Sequence, residues 1–376
     1  MPNHPQVGVD ATPLASGHAN RGIGRYVRGV LTALTSEEPA WCREHLGILI
    51  SRGQGPPSGA RRTWRTVRSA VRPQDTDWIV AAIADRIVTG SAPADLWHET
   101  DPGAPFGIGG PDRAIVTAYD LIPLLDESVR VRVRPHRWAV YRLYLRRLKR
   151  ARMIIAISEA TAQDLVRELG VDRRRIQIVP PAVLPLRSSV TPDSPPDPGD
   201  VRSLLFVGVP DPHKRPELAI LALADLRRRG GEMRLLFLGH HPERIRWSLR
   251  ALVSQHRLDH AVEFRDHVSD DELARLYATG ILLALSTREG FGLPAVESLI
   301  SGGRVVATPT PVYREVLGQA ATFADDDSPD AIAAAIERAS TRPADANSAV
   351  RLAERYSAAS VAASLVAAYH RAHDAR

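Results

Sequence analysis

The chain has 376 residues, of which 44% are hydrophobic and 24% are charged, and its formal net charge is +6. This length allows two domains of ordinary size, and this composition is typical of soluble globular proteins. No stretch approaches the apolar length of a membrane span, and the N-terminus lacks the apolar core of a signal peptide. A single cysteine, Cys42, excludes an intramolecular disulfide and a multi-cysteine metal site. We therefore expect a cytoplasmic protein.

Apolar runs alternate with amphipathic stretches along the whole chain, which predicts an α/β fold with parallel sheets. In the first half, strands are expected at 7–10, 48–50, 96–98, 114–117, 153–157 and 176–179. Helices are expected at 24–34 and 159–169, the second of them behind an N-cap at Ser158.

A glycine-containing segment, Arg21 to Tyr26, leads into the first predicted helix. Val27 stands where a dinucleotide-binding fingerprint would need its third glycine, so that kind of site is not indicated. Gly22 and Gly24 would instead let the backbone come close to a ligand at the helix N-terminus.

Two polar side chains lie where strands of the first half end. His98 ends the third strand, and either a contact with a sugar or a purely structural role fits a histidine at this position. Asp120 follows the fourth strand, where its carboxylate could bond a sugar hydroxyl or simply form part of a turn.

The stretch between Ser128 and Ser158 contains no acidic residue, and its apolar residues recur at helical spacing, which predicts an amphipathic basic helix. We favour a solvated cationic face over a packed aromatic stripe; the alternatives are binding of an anionic acceptor, an anionic membrane surface or nucleic acid, although no segment resembles a nucleic-acid-binding module. The cations of this stretch are Arg130, Arg132, Arg134, Arg137, Arg142, Arg146, Arg147, Lys149, Arg150 and Arg152.

A segment rich in proline, serine and aspartate, 185–200, cannot build a core and is predicted to be a linker. It separates a first domain, 1–184, from a second alternating domain, 201–356. The tail, 357–376, is predicted to be an amphipathic helix that belongs to the first domain.

Two loops of the second domain contain the residue types of a nucleotide-sugar site. In the first, a strand ends at Gly208 and a cationic cluster with Lys214 and Arg215 follows, which suits a diphosphate. In the second, an apolar strand precedes Glu289, a glycine-rich turn and a helix that carries Glu297 in its first turn. We expect Pro294 at the first helical position and both carboxylates in one crevice.

The segment from Glu289 to Glu297 resembles the Glu-x7-Glu signature of the retaining glycosyltransferases of family 4, and the resemblance extends over both domains. It implies the GT-B fold: two Rossmann-like, doubly wound domains that face each other across a cleft, with the C-terminal helix returning to the first domain. It also implies that Glu289 contacts the donor sugar and that Glu297 holds the ribose. Lys214 would neutralise the diphosphate, with Arg215 or His213 as a second cation. The remaining donor contacts that it implies are Gly22, Gly24, Gly290, Phe291, Gly292 and Leu293.

The segment that begins at Tyr119 and Asp120 and continues Leu-Ile-Pro resembles the bacterial mannosyltransferases of surface and storage polysaccharides. Many relatives have a histidine where this chain has Tyr119. The resemblance implies transfer of mannose from GDP-mannose to a glycan or another hydroxyl acceptor with an α-linkage. The implied catalytic residues are Glu289, Lys214 and Asp120, and the implied acceptor contacts are Arg25, His98, Tyr119 and Asp120.

No metal or other cofactor is expected besides the donor, since Lys214, loop amides and helix N-termini can stabilise the leaving diphosphate. Two alternatives stay open: a glycosyltransferase of natural-product or cell-envelope biosynthesis that uses a UDP-sugar, and a non-catalytic GT-B protein that binds a nucleotide sugar. The expected partners are a nucleotide sugar and a hydroxyl acceptor but no nucleic acid. The sequence predicts no oligomeric state.

Overall fold

The computed structural model of the protein describes residues 5–15, 22–49, 94–102, 110–184, 186 and 203–375. The chain divides into two compact units. The first consists of Met1–Leu121, Val133–Leu184 and Tyr356–Arg376, and the second consists of Ile122–Arg132 and Pro185–Arg355. Apart from Leu186, the predicted linker lies outside the described residues.

The first unit is built on a parallel sheet of six strands in the order β2-β1-β3-β4-β5-β6. Most of its residues are buried, as expected when helices cover both faces of a parallel sheet. All six predicted strands are present with ends shifted by one or two residues, although Ile50 lies outside the described residues. The strands are β1 (Val7–Asp10), β2 (Leu46–Leu49), β3 (Leu96–Glu99), β4 (Ala114–Ala118), β5 (Met153–Ala156) and β6 (Ile176–Ile178).

The second unit repeats this architecture with a parallel sheet in the order β12-β11-β10-β7-β8-β9. Its core consists of aliphatic and phenylalanine side chains from the sheet and the flanking helices. The strands are β7 (Ser203–Val207), β8 (Arg234–Leu238), β9 (Val262–Arg265), β10 (Ile281–Ala284), β11 (Arg304–Ala307) and β12 (Thr322–Phe323).

The helices of the described residues alternate with these strands, and none of them is long and apolar enough to cross a membrane. They are α1 (Gly22–Glu37), α2 (Pro39–His45), α3 (Ile122–Leu125), α4 (Glu127–Arg130), α5 (Pro135–Arg150), α6 (Glu159–Leu169), α7 (Pro216–Arg228), α8 (Glu243–Gln255), α9 (Asp270–Thr279), α10 (Leu293–Ile300), α11 (Pro311–Leu317), α12 (Pro329–Thr341), α13 (Ala346–Arg355) and α14 (Ala358–Asp374).

The predicted start of α6 is confirmed in detail. The Ser158 hydroxyl accepts a hydrogen bond from the backbone N–H of Thr161, which is the N-cap interaction expected at this position. Gly170 ends the helix with a φ of 65°, a left-handed conformation that glycine adopts without a steric penalty.

The segment Ile122–Arg132, which contains α3 and α4, groups with the second unit. This placement differs from the predicted boundary, which kept residues 1–184 together. Its short helices follow the polar turn after β4, and α4 packs against the Pro212–Lys214 turn of the second unit. The chain therefore passes from one unit to the other at four points.

The terminal helix α14 packs on α1 in the first unit, as predicted for the GT-B fold. Tyr369 on this helix is fully buried, and its hydroxyl lies 2.9 Å from Nδ1 of His98 in β3. The other ring nitrogen of His98 lies 2.7 Å from the Thr117 hydroxyl in β4. One buried imidazole therefore joins two strands and the terminal helix.

We predict that His98 makes the stability of the fold fall as the pH drops. Burial lowers the pKa of His98 from 6.5 to about 3, so the folded ring stays neutral while the unfolded ring takes up a proton. The contribution of His98 is therefore fully present above pH 6.5 and decreases by about 1.4 kcal/mol per pH unit as the pH falls towards about 3.

Urea unfolding of the wild type and of His98→Gln at about pH 7 and about pH 5 measures this contribution. Glutamine offers an amide donor and acceptor to the same partners but does not titrate. The wild type should lose more stability than the variant between the two pH values, and equal losses would contradict the assignment.

Candidate functional site

Two loops of the second unit leave adjacent strands at the same edge of the sheet. β7 and β10 are parallel neighbours, with Leu204 opposite Ile281. The loop after β7 leads to the Pro212–Lys214 turn, and the loop after β10 leads to α10. The carboxyl ends of such strands are where doubly wound sheets bind ligands.

Three hydrogen bonds join these loops to each other. The backbone N–H of Thr287 donates to the carbonyl of His213 at 2.7 Å, and the Thr287 hydroxyl donates to the same carbonyl at 3.3 Å. The Nε of Arg215 donates to the carbonyl of Leu285 at 2.7 Å. Since each bond joins one loop to the other, the two loops form a single rigid rim.

The two loops and the ends of their strands line an open pocket, whose empty space of about 380 Å³ includes the part that is open to solvent. Of the residues predicted to bind the donor, Lys214, Glu289 and Gly292 line it directly. The other lining residues are Phe206, Val207, Leu282, Leu283, Ala284, Leu285, Ser286, Pro294, Ala295 and Tyr313.

Lys214 lies against the glycine that ends the strand before it. A Cβ at Gly208 would lie 3.4 Å from the Lys214 ammonium, and Gly208 has a φ of 109°, which other residues rarely adopt. Among the described residues, no carboxylate forms an ion pair with Lys214. The ammonium group therefore brings an uncompensated positive charge to the pocket wall.

Neither candidate for the second cation is placed as an additional charge in the pocket. Burial lowers the pKa of His213, so its imidazole is neutral near pH 7. The guanidinium of Arg215 forms an ion pair with Asp327 at 2.7 Å, and it also holds the Leu285 carbonyl. Its Nη2 is buried and has no partner within the described part of the chain, and Arg215 does not line the pocket.

A hydrogen-bonded chain orients the Glu289 carboxylate. The Tyr313 hydroxyl donates to Ser286 Oγ at 3.2 Å, and Ser286 donates to Glu289 Oε2 at 3.0 Å. Burial raises the pKa of Tyr313, which keeps the phenol protonated as a donor. A Cβ at Gly292 would lie 2.7 Å from the Tyr313 ring, so this position requires glycine. The sequence did not single out Ser286 or Tyr313.

Glu297 lies elsewhere than predicted. Helix α10 begins at Leu293, so Glu297 is its fifth residue, beyond the first turn, and Pro294 is its second. The Glu297 side chain is buried and accepts a hydrogen bond from the Tyr277 hydroxyl at 3.4 Å. Of the two carboxylates of the motif, Glu289 lines this pocket, whereas Glu297 lies buried on α10; a shared crevice for both stays a prediction.

The other predicted contacts of this loop are not pocket-lining residues. Phe291 is 3% exposed and Gly290 is buried, which fits the alternative that this stretch packs in the core. Leu293 is partly exposed at the start of α10, outside the lining.

An additional contact to this rim comes from the segment that crosses over from the first half of the sequence. Asp126 caps α4 by accepting hydrogen bonds from the backbone N–H groups of Ser128 and Val129. Its other oxygen accepts from the Thr287 hydroxyl at 2.9 Å. Partial burial favours the neutral acid, but the bonds from Ser128 and Thr287 outweigh it and lower the pKa of Asp126. The sequence around Asp126 is typical of a local turn and does not indicate its bond to Thr287.

In the first unit, two predicted acceptor contacts are engaged inside the fold. His98 has no exposed surface and both ring nitrogens have partners, so the structure gives it a structural role. The Tyr119 hydroxyl donates to the Thr100 carbonyl at 2.8 Å, and its ring meets Tyr26 edge-on. Burial raises the pKa of Tyr119 well above its ordinary value, which excludes a phenolate there near pH 7.

Of the remaining predicted residues of the first unit, Gly24 is buried, whereas Asp120, Gly22 and Arg25 are at least partly exposed. Asp120 is partly exposed, and its negative charge adds to burial in raising the pKa of Tyr144 on α5. Gly22, Gly24 and Arg25 lie in the first turn of α1, because the helix begins at Gly22, two residues earlier than predicted.

A further acidic residue, not among the predicted site residues, lies at the end of a strand in the first unit. Asp10 ends β1, is 3% exposed and accepts a hydrogen bond from the Thr12 backbone N–H at 3.0 Å. Burial raises its pKa to about 6, and the charges of Asp101 and Glu99 add to this. Its position at the end of a predicted strand was the feature of the sequence that could have marked Asp10 as a candidate site residue.

Two family models together match the chain from residue 21 to residue 357, apart from 186–190. Residues 191–357 match the family described as "Glycosyl transferases group 1", and residues 21–185 match "Glycosyltransferase Family 4". The chain belongs to the family 4 glycosyltransferases. The predicted family is thereby confirmed on both halves, one of which contains the pocket with Lys214 and Glu289.

Relatives with curated names match parts of this family 4 chain. A D-inositol 3-phosphate glycosyltransferase from Pseudarthrobacter chlorophenolicus is 34% identical over 167 residues, which are 42% of this chain and 40% of that protein. The serotype-specific mannosyltransferase WbdA of Escherichia coli is 29% identical over 140 residues, 36% of this chain and 17% of WbdA. The matches thus span less than half of the length of these relatives.

A likeness to solved structures confirms the predicted GT-B fold. Anabaena HepE, solved in complex with UDP and glucose, has a TM-score of 0.63 to this chain at 13% sequence identity. The alignment covers 96% of this family 4 chain and 98% of HepE.

We predict that Ser286 and Tyr313 are energetically coupled because they share one hydrogen bond. Ser286→Ala and Tyr313→Phe should each reduce the free energy of unfolding by about 1 kcal/mol, and the double variant should lose less than the sum. Urea unfolding of the four proteins measures the coupling.

Tyr144→Phe provides the matched control, since its hydroxyl donates to the Thr117 carbonyl at 2.8 Å and has no bond to Ser286. Combined with Ser286→Ala, it should give additive losses. Additivity in the Ser286 and Tyr313 pair would refute the hydrogen-bonded chain to Glu289.

Proposed function

We propose that the protein is a retaining glycosyltransferase that moves a hexose from a nucleotide sugar to a hydroxyl acceptor. The observation that carries the proposal is that Lys214 and Glu289 line one pocket at the carboxyl ends of adjacent strands. A donor presents a doubly charged diphosphate next to a neutral sugar. The Lys214 cation suits the diphosphate, and the Glu289 carboxylate, which accepts hydrogen bonds, suits the hydroxyl groups of the sugar.

Lys214 is the proposed stabiliser of the leaving diphosphate. Its ammonium lies beside Gly208, where the missing side chain lets phosphate oxygens come close to the backbone. The free Nη2 of Arg215 is a candidate for a second contact. Fixed positive groups of this kind stabilise charge that develops in the transition state, and we propose that they do so without a metal ion.

Glu289 is the proposed partner of the donor sugar. The bond from Ser286 occupies one carboxylate oxygen and fixes the group, so the other is available for a sugar hydroxyl or for the positive charge that develops on the ring. We propose front-face displacement: the acceptor oxygen bonds to the anomeric carbon as the bond to the diphosphate breaks, and the leaving phosphate takes the acceptor proton. This route retains the configuration and needs no enzyme nucleophile.

GDP-mannose is the proposed donor and an α-mannoside the proposed product. The resemblance of the segment at Tyr119 and Asp120 to mannosyltransferases supports it, as does the similarity to WbdA. A UDP-sugar is the alternative, supported by the shared fold with HepE, which was solved with UDP and glucose. The acceptor is proposed to be a glycan or polyol hydroxyl, in line with a relative that is named for D-inositol 3-phosphate.

We predict that Lys214→Ala weakens binding of the nucleoside diphosphate about 10- to 100-fold, because a charge-assisted hydrogen bond is lost. Calorimetry with GDP and with UDP measures this and compares the two bases. Arg288→Ala is the matched control, since Arg288 lies in the loop after β10 but does not line the pocket. Equal losses in both variants would place the diphosphate elsewhere, and tighter binding of UDP than GDP would replace GDP-mannose by a UDP-sugar.

We predict that turnover, measured as release of nucleoside diphosphate from the donor, is unchanged by excess EDTA. Dependence on added divalent metal would contradict the metal-free mechanism.

We also predict that Glu289→Gln reduces turnover about 100-fold and keeps nucleotide affinity, because the carboxylate acts on the sugar. Glu243→Gln, which changes an exposed carboxylate on α8, is the control. Tight binding of sugar nucleotides without any release would favour the non-catalytic alternative.

A further inference from the structure

The exposed side of α5 concentrates positive charge. Arg142, Arg146, Lys149 and Arg150, which we call the basic face, are all exposed. They fall within an arc of about 100° around the helix. The opposite side is anchored by Tyr144 and Leu148, which are buried.

The charges of the basic face are unpaired, unlike those of several other arginines in the described part of the chain. Among the described residues, no carboxylate forms an ion pair with any of its four cations. Arg147, on the flank of the same helix, pairs with buried Glu99. Elsewhere, arginines pair with carboxylates on neighbouring elements, for example Arg173 with Glu159, Arg229 with Asp330 and Arg265 with Glu272.

An unpaired cluster of like charges repels itself, and a negative partner relieves this repulsion. The four cations extend over two turns of one helix and are exposed side by side, whereas small anionic ligands bind in concave sites. Charges in this arrangement match an extended anionic surface. Trp138 is partly exposed on the flank of α5, and tryptophan side chains favour the headgroup region of a bilayer.

We propose that the basic face binds the surface of an anionic lipid bilayer. The helix would lie along the headgroups, with arginines and Lys149 at the phosphates and the buried side of α5 still packed on its own unit. This inference goes beyond the proposed function and does not depend on which sugar is transferred.

Sedimentation of the full chain with vesicles tests the proposal. The protein should pellet with vesicles of mixed phosphatidylglycerol and phosphatidylcholine, stay in the supernatant with phosphatidylcholine alone, and be released by added salt. Replacing Arg142, Arg146 and Arg150 by glutamine should weaken binding about 100-fold, since each cation near an anionic surface contributes to affinity.

Two control variants make the outcome specific. The first control replaces three exposed arginines of the second unit, Arg234, Arg244 and Arg275, by glutamine. It lowers the net charge by the same amount as the glutamine variant of α5 and should leave vesicle binding intact. Lysine in place of Arg142, Arg146 and Arg150 keeps the charge and should bind like the wild type.

Three results would overturn the proposal. The first is no pelleting with either kind of vesicle, and the second is an equal loss in the Arg234, Arg244 and Arg275 variant. The third is tighter binding of an RNA oligonucleotide than of the anionic vesicles, lost in the glutamine variant of α5, which would reassign the basic face to nucleic acid.

Discussion

A single backbone hydrogen bond, from the Thr287 N–H to the His213 carbonyl, holds the candidate site together. Without it, the loop with Lys214 and the loop with Glu289 would be joined only by side chains, through the longer bond from the Thr287 hydroxyl to the same carbonyl and the bond from Arg215 to Leu285. The bond is possible because β7 and β10 are neighbours in a parallel sheet, so their loops start at the same level. The distance between the cation and the carboxylate thus follows from strand order, and the side chains around them only refine it.

The arrangement of elements could be predicted from the sequence because it depends on local patterns. Buried parallel strands are short apolar runs, and α6 carries both of its end signals, Ser158 and Gly170. Lys214 and Glu289 could be predicted for the same reason, since each stands at a fixed distance from a strand end and from a glycine.

What could not be predicted depends on partners distant in sequence. The sequence around Asp126 is typical of a turn, whereas its bond to Thr287 joins two positions that are 161 residues apart. His98 and Tyr119 stand where acceptor contacts were expected, but partners within their own unit occupy their polar atoms. Glu297 stands at the predicted spacing but is buried beside Tyr277. A motif specifies position along an element, whereas exposure is decided by neighbours that the motif does not contain.

The interleaving of the chain between the two units has a consequence for biosynthesis. The first unit includes Tyr356–Arg376, and the second includes Ile122–Arg132, so neither is a continuous stretch of polypeptide. On the ribosome, β1 to β6 emerge long before α14, and the surface of α1 that α14 covers stays open until α14 has been synthesised. Such late, long-range contacts slow folding and prolong exposure of apolar surface. Chaperone demand during synthesis should therefore depend on how long α1 waits for its partner helix.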